Sequence, residues 1–165
     1  LILITGGVKS GKSTFALRKA LEYEKRAFLA TGVPFDDEMK VRIQRHKEER
    51  GELFDTFEEP VNVADVLKEI DGRYNVILFE CLTTYLGNLF YYGIDVQKEL
   101  EKLINVLISM KSEVIVVTNE VGWGIIPDNE LSRKYAEILG RTNTKLASIA
   151  KEVYAVIAGI EVRIK

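Results

Sequence analysis

Cysteine and histidine occur once each in the 165 residues, as Cys81 and His46, and proline only three times. A lone cysteine excludes an internal disulfide and a cysteine-built metal centre, and it fits a reducing compartment. Cys81 follows an apolar run and reads as a small buried hydrophobe. Charge of one sign is also lacking. A net charge of −2 gives no bulk attraction to nucleic acid or to an acidic membrane. The most apolar window, Val76 to Ile94, is broken by Glu80, Asn88 and two glycines, which makes it a poor membrane span. Leu1 to Ile4 is too short and lacks the basic flank of a leader. These absences lead us to expect a cytoplasmic protein without a membrane span or a nucleic-acid partner. Repeats and low-complexity tracts are missing too, and Pro34, Pro60 and Pro127 fall where loops belong. Residues 1–165 therefore read as one domain.

What is present alternates between strand and helix. Strands are expected at Leu1–Thr5, Arg26–Thr31, Phe54–Glu58, Asn75–Glu80 and Glu113–Asn119. Helices are expected at Lys12–Glu24, Asp36–Arg50, Val61–Ile70, Leu82–Tyr91, Val96–Met110 and Asp128–Lys151. Val153–Ala158 and Glu161–Lys165 read as an antiparallel edge pair. Continuous apolar strands separated by helices imply a mostly parallel sheet covered on both faces, an α/β three-layer sandwich. Ligands of such sheets collect beyond the carboxyl ends of the strands. Those ends are Thr5–Gly6, Thr31–Gly32, Glu80–Cys81 and Asn119–Glu120.

The stretch Gly6-Gly7-Val8-Lys9-Ser10-Gly11-Lys12-Ser13 fits G-x-x-x-x-G-K-[ST], with a strand before it and a helix after it. Glycines free the backbone so that N–H groups converge on an anion, and the helix start adds its positive end. Lys12 would reach the outer phosphates and the Ser13 hydroxyl would hold Mg²⁺. The class expected is a P-loop NTPase (RecA-like). Glu80, ending the buried run NVILFE, is the acidic residue that would complete the magnesium site. The motif implies a nucleoside triphosphate but not a reaction. The readings open on these residues are a small-molecule kinase, a nucleotide-dependent switch or motor module, or a degenerate nucleotide binder, against which the intact GKS and His46 argue.

His46 lies in DDEMKVRIQRHKEERG, one turn from Arg42 and Arg50 and flanked by Arg45 and Lys47. Cations at this density can hold a triphosphate tail and favour the neutral, nucleophilic imidazole. The same pattern also reads as a solvated face with i,i+4 ion pairs. In TNEVGWG, Asn119 and Glu120 fall past a buried strand. Gly122 and Gly124 free the next loop, and Trp123 between them is either a packing anchor or a flat surface for a ligand. Tyr85, Phe90, Tyr91 and Tyr92 would extend such a wall or pack in the core.

Taken together, TGGVKSGKS, LATG, DDEMKVRIQRHKEERG, ECLTTYLGNL, TNEVGWGIIP and GRTNTKLA make the chain resemble a known family. It is the bifunctional adenosylcobinamide kinase/adenosylcobinamide-phosphate guanylyltransferase family of cobalamin synthesis. The resemblance implies phosphorylation of adenosylcobinamide with ATP or GTP. Transfer of GMP from GTP through a His46–GMP adduct would follow, releasing pyrophosphate. It places GTP contacts on Gly6 to Ser13, Ala30, Thr31 and Gly32. Further contacts fall on Lys47, Glu48, Glu49, Arg50, Glu58 and Glu80. Lys12 and Glu80 join His46 as catalytic residues, Glu80 as the candidate group to accept or orient the hydroxyl proton in the kinase step, with Ser13 and Glu80 on the metal. Asn119, Glu120, Gly122 and Trp123 are assigned to the acceptor, and a homo-oligomer, a trimer, is implied. Without the resemblance, Glu58 and Glu59 would read as an exposed acidic turn. Phe54, Thr144 and Glu80 stand where relatives often carry tryptophan, glutamine and aspartate, which touches substrate preference more than activity.

Overall fold

A computed structural model describes residues 1–34, 37, 40, 41, 44, 48 and 51–165. Among these residues a seven-stranded sheet forms. Its strands are β1 (Ile2–Gly6), β2 (Arg26–Ala30), β3 (Asp55–Glu58), β4 (Val76–Glu80), β5 (Glu113–Val117), β6 (Glu152–Ile157) and β7 (Ile160–Arg163). The order across the sheet is β3-β2-β4-β5-β1-β6-β7. All neighbours are parallel except β6 and β7. The helices are α1 (Lys12–Ala20), α2 (Val63–Ile70), α3 (Leu82–Tyr91), α4 (Val96–Ser109) and α5 (Glu130–Ile149), and the described residues 37, 40, 41, 44 and 48 are helical as well.

Strand alternation sorts the core into two halves. Leu3, Ala27, Leu29, Ile77, Phe79, Val114 and Val116 face one side, where they meet α2, α3, α4 and α5. Ile2, Ile4, Phe28, Leu78, Ile115 and Val117 face the other, where Phe15, Ala16 and Ala20 of α1 cover them. The strands are buried on both faces, which is why they read as unbroken apolar runs rather than alternating ones.

This layering determines where the cleft lies. The chain leaves β1 into α1 on one face, and it leaves β5 toward α5 on the other. Neighbouring strands whose connections diverge to opposite faces leave a crevice beyond their carboxyl ends. That crevice lies between Gly6, at the end of β1, and Asn119–Glu120, just past β5.

Most expected elements appear within a residue or two of their expected bounds, and α3 matches them at both ends. The long C-terminal helix begins later than expected, at Glu130, because Asn129 caps it by accepting from the Ser132 N–H. The helix expected at Asp36–Arg50 falls largely outside the described residues. Cys81 does more than pack. It is the N-cap of α3, half-buried, its sulfur accepting from the Thr84 N–H at 3.4 Å.

Asn88 is the buried polar residue that ties the loops at this end of the sheet. From α3 it donates to the carbonyls of Thr31 at 2.8 Å and Pro60 at 2.9 Å. Replacing it with leucine strands one buried and one half-buried acceptor, and a stranded buried acceptor costs about 1–3 kcal/mol. We expect Asn88→Leu to lower the urea midpoint with an unchanged slope. An unchanged midpoint would show that water serves these carbonyls equally well.

Candidate active site

The phosphate loop is held from behind by the C-terminal hairpin. The Gly159 N–H, in the β6–β7 turn, donates to the Ser10 carbonyl at 2.9 Å. A Cβ on Gly6 would sit 2.3 Å from the Val156 carbonyl oxygen, and one on Gly11 would sit 3.3 Å from Gly159 Cα. Both glycines also have positive φ, +151° and +97°. The motif's glycines are thus required by a packed neighbour as well as by backbone angles.

The loop leads into a helix end prepared for an anion. Gly11 is the N-cap of α1, and it supplies no side-chain acceptor to the first N–H groups. The first turn carries no acidic residue. Those donors and the helix dipole therefore face the loop's interior unneutralised. Lys12, buried at 8% exposure, donates from Nζ to the Gly7 carbonyl at 2.6 Å. A lysine folded over its own loop stands where the outer phosphates of a nucleotide would be met.

Glu80 reaches this loop from β4. The Ser13 hydroxyl donates to its Oε1, while Oε2 is buried with no hydrogen-bond partner among the described residues. A hydroxyl and an incompletely satisfied carboxylate in contact form a donor set that suits a hard divalent cation keeping most of its own water. A cage of three or more acidic, histidine or cysteine ligands is absent among the described residues. Magnesium bound to nucleotide phosphates does not need one.

The loop after β2 is tied to the loop after β4. Thr31, fully buried, donates from Oγ1 to the Cys81 carbonyl at 3.0 Å and accepts from the Cys81 N–H at 3.0 Å. The Glu80–Cys81 peptide is cis. Ala30 is half-buried and Gly32 exposed, at the open end of the sheet. Glu58 ends β3 and is exposed. Glu59 instead turns back and accepts from the N–H groups of Val61 at 2.9 Å and Asn62 at 2.7 Å. The acidic pair is therefore split between one carboxylate in the turn and one at the strand end.

On the other side of the crevice, Glu120 meets β1. Its Oε1 accepts from Thr5 Oγ1 at 2.7 Å and from Asn143 Nδ2 at 3.3 Å. Its backbone N–H donates to the Gly6 carbonyl at 3.2 Å. Asn143 also donates to the Asn119 carbonyl at 3.0 Å and accepts from Thr118 Oγ1 at 2.8 Å. Thr5 and Asn143 did not stand out in the sequence. The signal available was a polar residue at an otherwise core-facing position of a long helix.

Beyond Glu120 the chain turns through a short 3₁₀ segment, Val121–Trp123. Trp123 is 69% exposed, and Ile125 and Ile126 are exposed as well. It is therefore not a packing anchor within this chain. Of the other aromatics, Tyr85 is fully buried and Phe90 packs against Tyr135. Tyr91 and Tyr92 are exposed. His46, Lys47, Glu49 and Arg50 lie outside the described residues, and Glu48 is described and exposed.

A glycine-bounded loop on a helix end, with a hydroxyl and a carboxylate beside a buried lysine, defines a P-loop nucleotide-binding protein. The sequence model for cobinamide kinase / cobinamide phosphate guanyltransferase matches residues 2–164, and the chain belongs to that family. It is 36% identical to the bifunctional adenosylcobalamin biosynthesis protein CobU of Escherichia coli, over 100% of this chain and 99% of that one. It is 35% identical to the bifunctional adenosylcobalamin biosynthesis protein CobP of Pseudomonas aeruginosa, over 99% and 96%. Among solved structures, a KaiC-like protein of Pyrococcus horikoshii aligns with a TM-score of 0.47 at 17% identity, covering 93% of this chain and 70% of that one. The DnaC helicase loader aligns with a TM-score of 0.42 at 12% identity, covering 94% and 77%.

The hairpin's hold on the loop is testable. Gly6→Ala forces a methyl into the Val156 carbonyl. We expect nucleotide affinity to fall at least tenfold, read by titration with a fluorescent GTP analogue. Unchanged affinity would show that the loop can shift at no loss.

Proposed function

We propose that this chain phosphorylates the aminopropanol hydroxyl of adenosylcobinamide with ATP or GTP and then transfers GMP from GTP to that phosphate. The observation that carries the reading is the loop–Lys12–Ser13–Glu80 arrangement in a member of the cobinamide kinase / guanyltransferase family. The chain matches its named relatives from end to end, so both activities are assigned to it.

In the kinase step the loop N–H groups and Lys12 bind and orient the β- and γ-phosphates. Ser13 and Glu80 would hold Mg²⁺, which when bound neutralises charge building on the phosphate oxygens. In the second step His46 attacks the α-phosphorus of GTP and pyrophosphate leaves toward Lys12. The acceptor phosphate then displaces the histidine. Support for His46 is its place in the motif DDEMKVRIQRHKEERG, with basic neighbours on both sides. The nucleotide contacts extend to Ala30, Thr31, Gly32, Lys47, Glu48, Glu49, Arg50 and Glu58. Asn119, Glu120, Gly122 and Trp123 receive the acceptor. The exposed indole offers a face to a flat macrocycle. The reading includes a homotrimer acting in the cytoplasm. Among the described residues no helix is long and apolar enough to cross a membrane.

Incubation with α-labelled GTP should leave an acid-labile label on the wild-type protein and none on His46→Ala. The variant should keep most of its phosphoryl transfer from ATP. Equal loss of both activities in the variant would remove the division of roles. Lys12→Ala should depress both steps by at least 100-fold, because both draw on one phosphate site.

A further inference from the structure

The phosphoryl-transfer step needs a group to take the proton from the attacking alcohol, and among the described residues Glu58, Glu80, Asn119 and Glu120 offer oxygen acceptors at the carboxyl ends of β3, β4 and β5. Glu80 is committed: Oε1 accepts from Ser13, and Oε2 is enclosed without a partner among the described residues, which suits it to a cation rather than to a substrate hydroxyl. Glu58 stands on β3, four strands from β1 in the sheet order, about 19 Å at ordinary strand spacing. Asn119 is neutral, and its Nδ2 donates to Thr83 Oγ1 at 3.3 Å. Glu120 differs from all three.

Its carboxylate is fixed by one oxygen and open at the other. Oε1 takes hydrogen bonds from Thr5 on one side and Asn143 on the other, so the group cannot rotate freely. Oε2 makes no hydrogen bond among the described residues. Glu120 is half-buried, one residue before the exposed Val121–Trp123 turn and bonded through its N–H to the first glycine of the phosphate loop. It therefore stands between the nucleotide's outer phosphates and the surface assigned to the acceptor. A carboxylate held in one orientation, whose second oxygen is neither enclosed nor hydrogen-bonded among the described residues, is organised for general-base work.

We propose that Glu120 is the proton acceptor of the kinase step, an inference that rests on the kinase reading above. The acceptor's hydroxyl oxygen bonds to the γ-phosphorus as the bond from that phosphorus to the β,γ-bridging oxygen breaks. The electron pair leaves on the nucleoside diphosphate. The hydroxyl proton passes to Glu120 Oε2 and is returned to solvent after the product departs. Thr5 and Asn143 are positioning residues, acting through Oε1.

The test uses the full chain with Mg²⁺, γ-labelled ATP and adenosylcobinamide in single turnovers. Glu120→Gln keeps the acceptor oxygen for Thr5 and Asn143 but removes the basic one. We expect its phosphoryl-transfer rate at saturating acceptor to fall on the order of 100-fold, with ATP affinity unchanged. Glu120→Asp should recover part of the loss, because a shorter carboxylate is still a base. Transfer by Glu120→Gln within threefold of wild type would overturn the assignment. So would a parallel loss of ATP binding, which would make Glu120 a prop of the loop. If the wild-type protein binds ATP but transfers nothing to adenosylcobinamide, the kinase reading fails and takes this inference with it.

Discussion

The contact on which the site depends lies between the two ends of the chain. The Val156 carbonyl occupies the space that a side chain at residue 6 would need, and Gly159 donates to the carbonyl of Ser10. An ion pair between Arg18 of α1 and Glu161 of β7 joins the same two regions. The phosphate loop is therefore backed by a strand and a turn. A loop already shaped for an anion spends less binding free energy on ordering itself and leaves more for orienting phosphates.

Around that fixed loop the sheet order creates the opening. β1 and β5 are neighbours, yet one sends its chain to α1 and the other toward α5 on the opposite face. Thr5 and Glu120 span this divide with a single hydrogen bond, from the residue before the loop to the residue after β5 and its two polar successors. Asn143 then carries the connection into α5. Two layers of the sandwich are thus coupled at the mouth of the site by polar groups. Their geometry is less forgiving than apolar contact, because hydrogen bonds require direction as well as proximity.

The sequence discloses the strands, the phosphate loop and the carboxyl-end residues, since each has a local signature: an apolar run, a glycine spacing, a polar residue at the end of a run. It does not disclose strand order, because parallel buried strands such as VILFE and EVIVV are alike in composition and any of them could neighbour β1. Nor does it disclose Asn88 and Asn143, which are ordinary helix residues until the loops that use their amides are in place. Glu59 is a similar case. Beside Glu58 it suggests one acidic turn, but its two backbone partners give it a structural task of its own. Cys81 reads as a hydrophobe by type and becomes a helix cap by position.

Two carboxylates that border the loop show how environment divides labour between identical side chains. Glu80 ends a strand next to Ser13 with one oxygen engaged and the other enclosed, an arrangement that suits a cation supplying the missing partner. Glu120 begins a loop, with one oxygen pinned by neutral donors and the other without a hydrogen bond among the described residues. Neutral donors on one oxygen orient a carboxylate while leaving its second oxygen unengaged. Exchanging the two roles would require Glu80 to abandon the cation position and Glu120 to move from the end of β5 to the end of β4. The register of β4, β5 and β1, fixed through the pairs Glu80–Val117 and Ile4–Val117, forbids that exchange.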